Sequence, residues 1–232
     1  MAVFYVPPTL AADFDDFLNT DVPNQVGDYE VIHDWYERTK SGYEPKMIRG
    51  EIYPDSTKSR YENMDNQMNF RASVTSGIRK GDIIIQQDTG KIYLLDWEVA
   101  LETNNAPSRA LRCNFNLTIE RDMPEEVDED GYLMWEGGKK TIVDALPCNG
   151  YRYDGRPEFS TIRSTPGIAP NALSIVVVQW NTHTDDIRIG DRFVWGYETH
   201  VIVDIDLFGL SADKTSGVLR LLTRKEAGGA VD

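Results

Sequence analysis

One short motif occurs twice and limits the fold more than any other feature. Ile78-Arg79-Lys80-Gly81-Asp82 returns as Ile187-Arg188-Ile189-Gly190-Asp191. The landmarks downstream keep step. A second aspartate inside an apolar stretch follows by 14 positions in the first copy (Asp96) and by 13 in the second (Asp204). A Leu-Arg pair sits 15 positions beyond each, at Leu111-Arg112 and Leu219-Arg220. A Gly-Asp pair ahead of an apolar run reads as a tight turn into a strand. Matched spacing across four landmarks implies one β-module used twice.

The rest of the chain reads as short strands. Leu111, Cys113, Phe115, Leu117 and Ile119 alternate with polar residues, the period of a half-buried strand. Gln67–Val74 behaves likewise, with Met68, Phe70, Ala72 and Val74 on one face. Further strands are expected at Ile83–Gln87, Tyr93–Val99, Ser174–Trp180, Arg192–Trp195, Val201–Leu207 and Val218–Thr223, rich in residues that suit a pleated sheet. Hairpin returns are expected at Asp88-Thr89-Gly90 and Gly196-Tyr197-Glu198. Short strands at this spacing make the chain all-β: two small β-barrel or sandwich modules, an inserted β-hairpin region and extended arms.

Five segments follow. Residues 1–45 form an N-terminal arm, where Thr9 caps a short helix Leu10–Leu18 and Tyr29–Thr39 is helix or strand. Residues 46–121 are the first module. Residues 122–171 are an insertion with an acidic run (Asp122 to Asp130), hairpins around Tyr132–Val143 and Tyr151–Phe159, and a Pro/Gly-rich linker at Thr165–Pro170. Residues 172–225 are the second module, and 226–232 a tail with nothing to bury.

Composition excludes several functions. The net charge of −14 opposes a duplex-binding surface, which needs Lys and Arg to displace counterions. No apolar run reaches the ~18 residues a membrane span needs, and the N-terminus has neither the basic nor the apolar region of a signal peptide. Two cysteines in 232 residues fit a reducing compartment. The sequon Asn116-Leu117-Thr118 is then read as chance.

No reaction is legible. His33, His183 and His200 show no metal-ligand spacing; His183-Thr184-Asp185-Asp186 reads as a polar loop, and His200 as a surface or interface residue. Glu126, Asp128, Asp130 and Gly131 match the start of a calcium loop, but its twelfth position is Gly137 rather than glutamate. Cys113 reads as an inert thiol on the inward face of a strand, and Cys148 as a loop residue. Pairs such as Glu98 and Glu102, or Asp204 and Asp206, would suit a glycosidase, but 38 acidic residues yield such pairs without selection. Asp96 and Asp204 read as structural acceptors for Arg112 and Arg220. Trp97, Trp180 and Trp195 are core rather than a sugar-stacking platform. The chain reads as a non-enzyme with no catalytic, cofactor or metal residues.

The repeated unit, Arg79-Lys80-Gly81-Asp82-Ile83-Ile84 through Tyr93-Leu94-Leu95-Asp96 and Ile189-Gly190-Asp191-Arg192-Phe193-Val194 through Thr199-His200-Val201-Ile202-Val203-Asp204, resembles the small β-barrel of tailed-bacteriophage head-closure (stopper, or head-completion) proteins. The two stretches with their flanking strands span roughly half of the chain, and its doubling departs from the single-module pattern. The resemblance implies a homo-oligomeric ring in the virion neck, made in the host cytoplasm and docked between portal or adaptor proteins and tail-tube or terminator proteins. Genomic DNA would pass without specific binding and no membrane would be involved. Gly81, Asp82, Gly190 and Asp191 become the expected interface or turn positions. The alternatives are a carbohydrate-binding or glycan-processing β-sandwich and another tail-tube or terminator component.

Overall fold

A computed structural model describes residues 27–54, 67–72, 76–96, 108–124, 126–127, 133–135, 137–152, 174–207, 209–211 and 213–226. The expected Leu10–Leu18 helix, Val74, Trp97–Val99, the acidic loop beyond Val127, the Tyr151–Phe159 hairpin beyond Arg152, the Pro/Gly-rich linker and residues 227–232 lie outside them.

The protein is all-β and divides into two units, Met1–Arg112 and Cys113–Asp232. Six strands build the first barrel: β1 (Gly27–Ile32), β2 (Lys46–Pro54), β3 (Gln67–Ala72), β4 (Ile83–Gln86), β5 (Ile92–Leu95) and β6 (Ser108–Arg112). They close in the order β1-β2-β3-β6-β5-β4. The second unit contains β7 (Phe115–Met123), β8 (Glu126–Val127), β9 (Leu133–Trp135), β10 (Gly138–Arg152), β11 (Ser174–Gln179), β12 (Arg192–Trp195), β13 (Glu198–Asp206) and β14 (Val218–Lys225). Its barrel closes as β7-β10-β11-β14-β13-β12. That is the order of the first barrel, strand for strand, so the duplication expected from the repeated motif is present in the fold. The β8–β9 pair forms a separate two-stranded sheet between β7 and β10.

The expected boundaries move. The single strand Leu111–Ile119 is two strands: β6 ends at Arg112, β7 begins at Phe115, and each belongs to a different barrel. Alternation runs unbroken across the junction, so the pattern hides the break. The first barrel thus spans 27–112 rather than 46–121. Gly27–Ile32 of the expected arm is a strand because Tyr29 and Val31 fill the barrel interior with Phe70, Ile84, Tyr93, Leu95 and Ala110; a 3-10 turn, Trp35–Thr39, follows it. The second barrel begins at Phe115 and takes β10 from the expected insertion, which shrinks to β8–β9 and its connections. Glu226 of the expected tail is anchored, its N–H donating to Thr199 O at 2.8 Å.

The Gly-Asp turns are built alike, bond for bond. Asp82 N–H donates to Arg79 O (3.1 Å) and Asp191 N–H to Arg188 O (3.2 Å). Gly81 and Gly190 sit at φ 89° and 97°, the left-handed position that a type II turn requires and that suits glycine. Gly81 N–H reaches Leu95 O and Leu95 N–H returns to Asp82 O; Gly190 and Ile202 repeat the exchange with Asp191. Each aspartate accepts the arginine N–H at the start of its own turn, at 2.6 Å from Arg79 and 2.8 Å from Arg188.

This register corrects one expectation. Leu95 aligns with Ile202, so Asp96 aligns with Val203, and a register shift lies between Ile202 and Asp204. Arg112 pairs with Tyr93 and Lys225 with His200, so Arg112 corresponds to Lys225 and not to Arg220. Buried Asp96 instead accepts from Arg109. Asp204 accepts from Ile205 N–H at 2.8 Å, while Arg220 pairs with Asp206 at 3.5 Å. The bulge moves the second aspartate by one position, and a stretch from Ile202 to Thr223 longer than that from Leu95 to Ala110 carries Arg220 out of step with Arg112, which equal sequence spacing conceals.

Removing a turn carboxylate leaves a part-buried main-chain donor and the cross-strand side chain, His33 or Arg121, without their acceptor. Asp191→Ala is expected to cost about 3 kcal/mol, the lower end for breaking a buried ion pair, and Asp82→Ala about 2 kcal/mol because its partner is more solvated. Urea unfolding followed by circular dichroism measures both.

Candidate functional site

Among the described residues, two groups of polar or aromatic side chains stand out. The first is the pair of Gly-Asp turns. Asp82 and Asp191 are 1% and 2% exposed, so their carboxylates face inward and serve the turn. The strand beside each turn supplies a second partner at the same register position. His33, next after Ile32 of β1, places Nδ1 2.8 Å from Asp82 Oδ1. Arg121, next after Glu120 on β7, donates from Nε to Asp191 Oδ1 at 2.7 Å and from Nη2 to Oδ2 at 2.9 Å. This fork is the strong bidentate form of a carboxylate pair, and its hydrogen bond to Asp191 holds the Arg121 guanidinium above its ordinary pKa. Sequence reading missed both partners, since 49 and 70 positions separate them from their aspartates. Of the expected interface positions, Gly81 is buried with its aspartate; Gly190 is exposed beside Ile189, a large apolar side chain 64% exposed.

The second place is the end of the second barrel where Phe115, Trp195 and His200 meet. Phe115 stacks on Trp195 at 5.1 Å and 11°, and Phe193 on His200 at 5.4 Å and 21°. Gly150 makes this possible: a Cβ there would lie 2.6 Å from Phe115 and 3.1 Å from Trp195. By register the matching residues of the first barrel are Gly27, Gln86 and Tyr93, with Ile52 in the place of Gly150. One barrel packs an aliphatic side chain where the other packs an aromatic pair over a glycine. His200 is therefore 3% exposed, correcting its reading as a surface residue: a histidine alternating on a barrel strand fell on the inner face.

His200 belongs to a buried polar group. Its Nδ1 lies 3.4 Å from Ser174 Oγ, which lies 2.6 Å from Thr223 Oγ1, and its Nε2 is 3.8 Å from Glu198 Oε2. The residue types are those of a Ser-His-acid array, but the geometry is that of a core. Ser174 is 1% exposed, and the histidine–glutamate distance exceeds a hydrogen bond. Glu198 pairs with Lys225 at 2.8 Å. The arrangement pairs Ser174 with Thr223 and His200 inside the barrel and positions no nucleophile toward solvent.

Both cysteines are free thiols. Cys148 lies on β10 rather than in a loop, fully buried, and burial raises its pKa well above the ordinary range. Burial also pushes Cys113 up to about 12. Among the described residues no cluster of three His, Cys, Asp or Glu side chains has metal-holding geometry. Of the tryptophans considered, Trp180 donates Nε1–H to Lys214 O at 2.8 Å and Trp195 stacks within the cluster above.

No protein-family model, curated protein or solved structure matches this chain.

Two outcomes follow from this geometry. Iodoacetamide at pH about 8 leaves both cysteines unmodified in the folded protein and labels both after denaturation, because only the thiolate reacts; peptide mass spectrometry reads the difference. Gly150→Ala forces the aromatic stack apart, costing about 1 to 3 kcal/mol as overpacking does, and weakens the near-ultraviolet circular dichroism of Trp195.

Proposed function

We propose that this protein is a structural component of a tailed-bacteriophage virion, forming a ring in the neck between portal or adaptor and tail and helping to close the filled head. The observation that carries this reading is the motif itself. Both copies of the Gly-Asp turn and following hairpin, the stretches that resemble head-closure proteins, sit at the same place in six-stranded barrels of one strand order. The barrel interiors are filled by packed side chains, so the surfaces offered to partners are outer faces and loops, as an assembly protein requires. A net charge of −14 suits a channel wall that DNA slides past without being gripped.

Electron microscopy of the protein co-expressed with portal and adaptor proteins, together with antibody labelling of intact virions, tests this. A ring added to the portal complex and label at the neck are expected. A chain that remains monomeric, joins no portal complex and is missing from purified virions overturns the reading.

A further inference from the structure

The two barrels differ at one seam. In the first, β1 and β4 are zipped through Ile32↔Ile83, Val31↔Ile84, Glu30↔Ile85 and Tyr29↔Gln86, and Gln87 N–H donates to Asp28 O at 3.0 Å beyond them. In the second, the matching strands β7 and β12 pair only at Glu120↔Arg192 and Ile119↔Phe193. The rung that would join Thr118 to Val194 is missing from the ladder. So is a bond from Gly196 to Asn116, the counterpart of Gln87 to Asp28. The Phe115–Trp195 stack closes the frayed end from inside in place of main-chain bonds.

A cavity of about 260 Å³ opens over this fray, lined by Asn116, Thr118, Arg192, Phe193, Val194 and Thr199 among others. Asn116, Thr118, Val194 and Thr199 are exposed while Phe193 is 2% exposed, so the cavity lies on the outer face of the barrel, over the seam. Val194 stands on the lip 61% exposed, and Tyr197 at the hairpin tip is fully exposed. The charges around the rim are already compensated: Lys139 pairs with Glu120 at 2.9 Å, and Arg192 with Asp122 and with Glu226.

We propose that the frayed β7–β12 seam of the second barrel is a docking slot for a short, uncharged, extended segment of a partner polypeptide. Interrupted strand rungs call for main-chain donors and acceptors at strand spacing, which an extended peptide supplies and a compact ligand does not. The compensated rim selects a neutral segment, since an added charge would lose hydration with no partner left to meet it. Exposed Val194 and Tyr197 offer apolar contact to alternate side chains along that segment. The first barrel, with its seam zipped, offers no such slot. The slot follows from register alone and stands independently of any place in a virion.

Amide-resolved NMR of the full chain tests this with an acetylated, amidated Thr-Val-Thr-Val-Thr peptide and a twin N-methylated at alternate amides. The parent peptide is expected to shift the Asn116, Thr118, Val194 and Gly196 amides saturably and to leave Asp28 and Gln87 unmoved. The twin, deprived of about two hydrogen bonds, is expected to bind about tenfold more weakly. Val194→Asp, a lip substitution that leaves the core intact, is expected to weaken binding by a similar factor with the remaining spectrum unchanged. No shift at millimolar peptide, equal binding by the twin, or shifts confined to other faces overturns the slot. Because no portal or virion enters the assay, failure here leaves the neck-ring reading to its own experiment.

Discussion

The fold depends on a buried carboxylate that does two things at once. In each barrel an aspartate accepts the N–H that opens its own turn and also holds a guanidinium or imidazole group from the first strand of the barrel or the residue just past it. The turn fixes where the fourth strand begins, and the cross-strand partner fixes which strand lies beside it. Together they set the register of the seam at which the barrel closes. A buried carboxylate without such partners would be costly; with them it ties a local bend to long-range closure.

Around that shared element the copies have diverged by compensation. The first barrel holds Met68, Ala110 and Tyr93 where the second holds Ser174, Thr223 and His200, as the ladders of β3, β6, β11 and β14 align them. Gly50 admits Phe70 in the first, where a Cβ would lie 2.7 Å from the ring, and Gly150 admits Phe115 and Trp195 in the second. Each change of volume is met by its neighbour, as close packing demands. The cost appears at the seam. Where the first barrel spends its strand edges on hydrogen bonds, the second closes with a ring stack, and main-chain pairing stops two rungs along. With one sealed and one frayed barrel the two halves present unequal surfaces, although they share a topology.

The polar groups that looked chemically suggestive resolve into structure: Ser174 and His200 are buried in the barrel, and half-buried Glu198 is paired with Lys225. Ser174, His200 and Glu198 resemble a catalytic array by residue type, yet the serine oxygen lies against Thr223 inside the barrel. The raised thiol pKa values of Cys113 and Cys148 likewise express desolvation. Among the described residues the exposed large apolar side chains are Met47, Ile189, Val194, Tyr197 and Leu207, and three of them, Ile189, Val194 and Tyr197, lie on the β12 hairpin and its turn.

Local chemistry alone determined the all-β class, the two Gly-Asp turns, the hairpins at Asp88-Thr89-Gly90 and Gly196-Tyr197-Glu198, and most strand cores, because glycine conformation and period-two burial are properties of neighbouring residues. Tertiary structure decided the rest. Whether Leu111–Ile119 was one strand or two depended on which barrel each half closed, and alternation carries no mark of that. The bulge after Ile202 moved the second aspartate out of register, which equal spacing had concealed. His33 and Arg121 became partners of Asp82 and Asp191 only when β1 and β7 came round to close the barrels. His200 and Gly150 acquired their roles only when rings from distant strands met over a missing side chain. Long-range closure sets those contacts, and no local pattern encodes which strand closes on which.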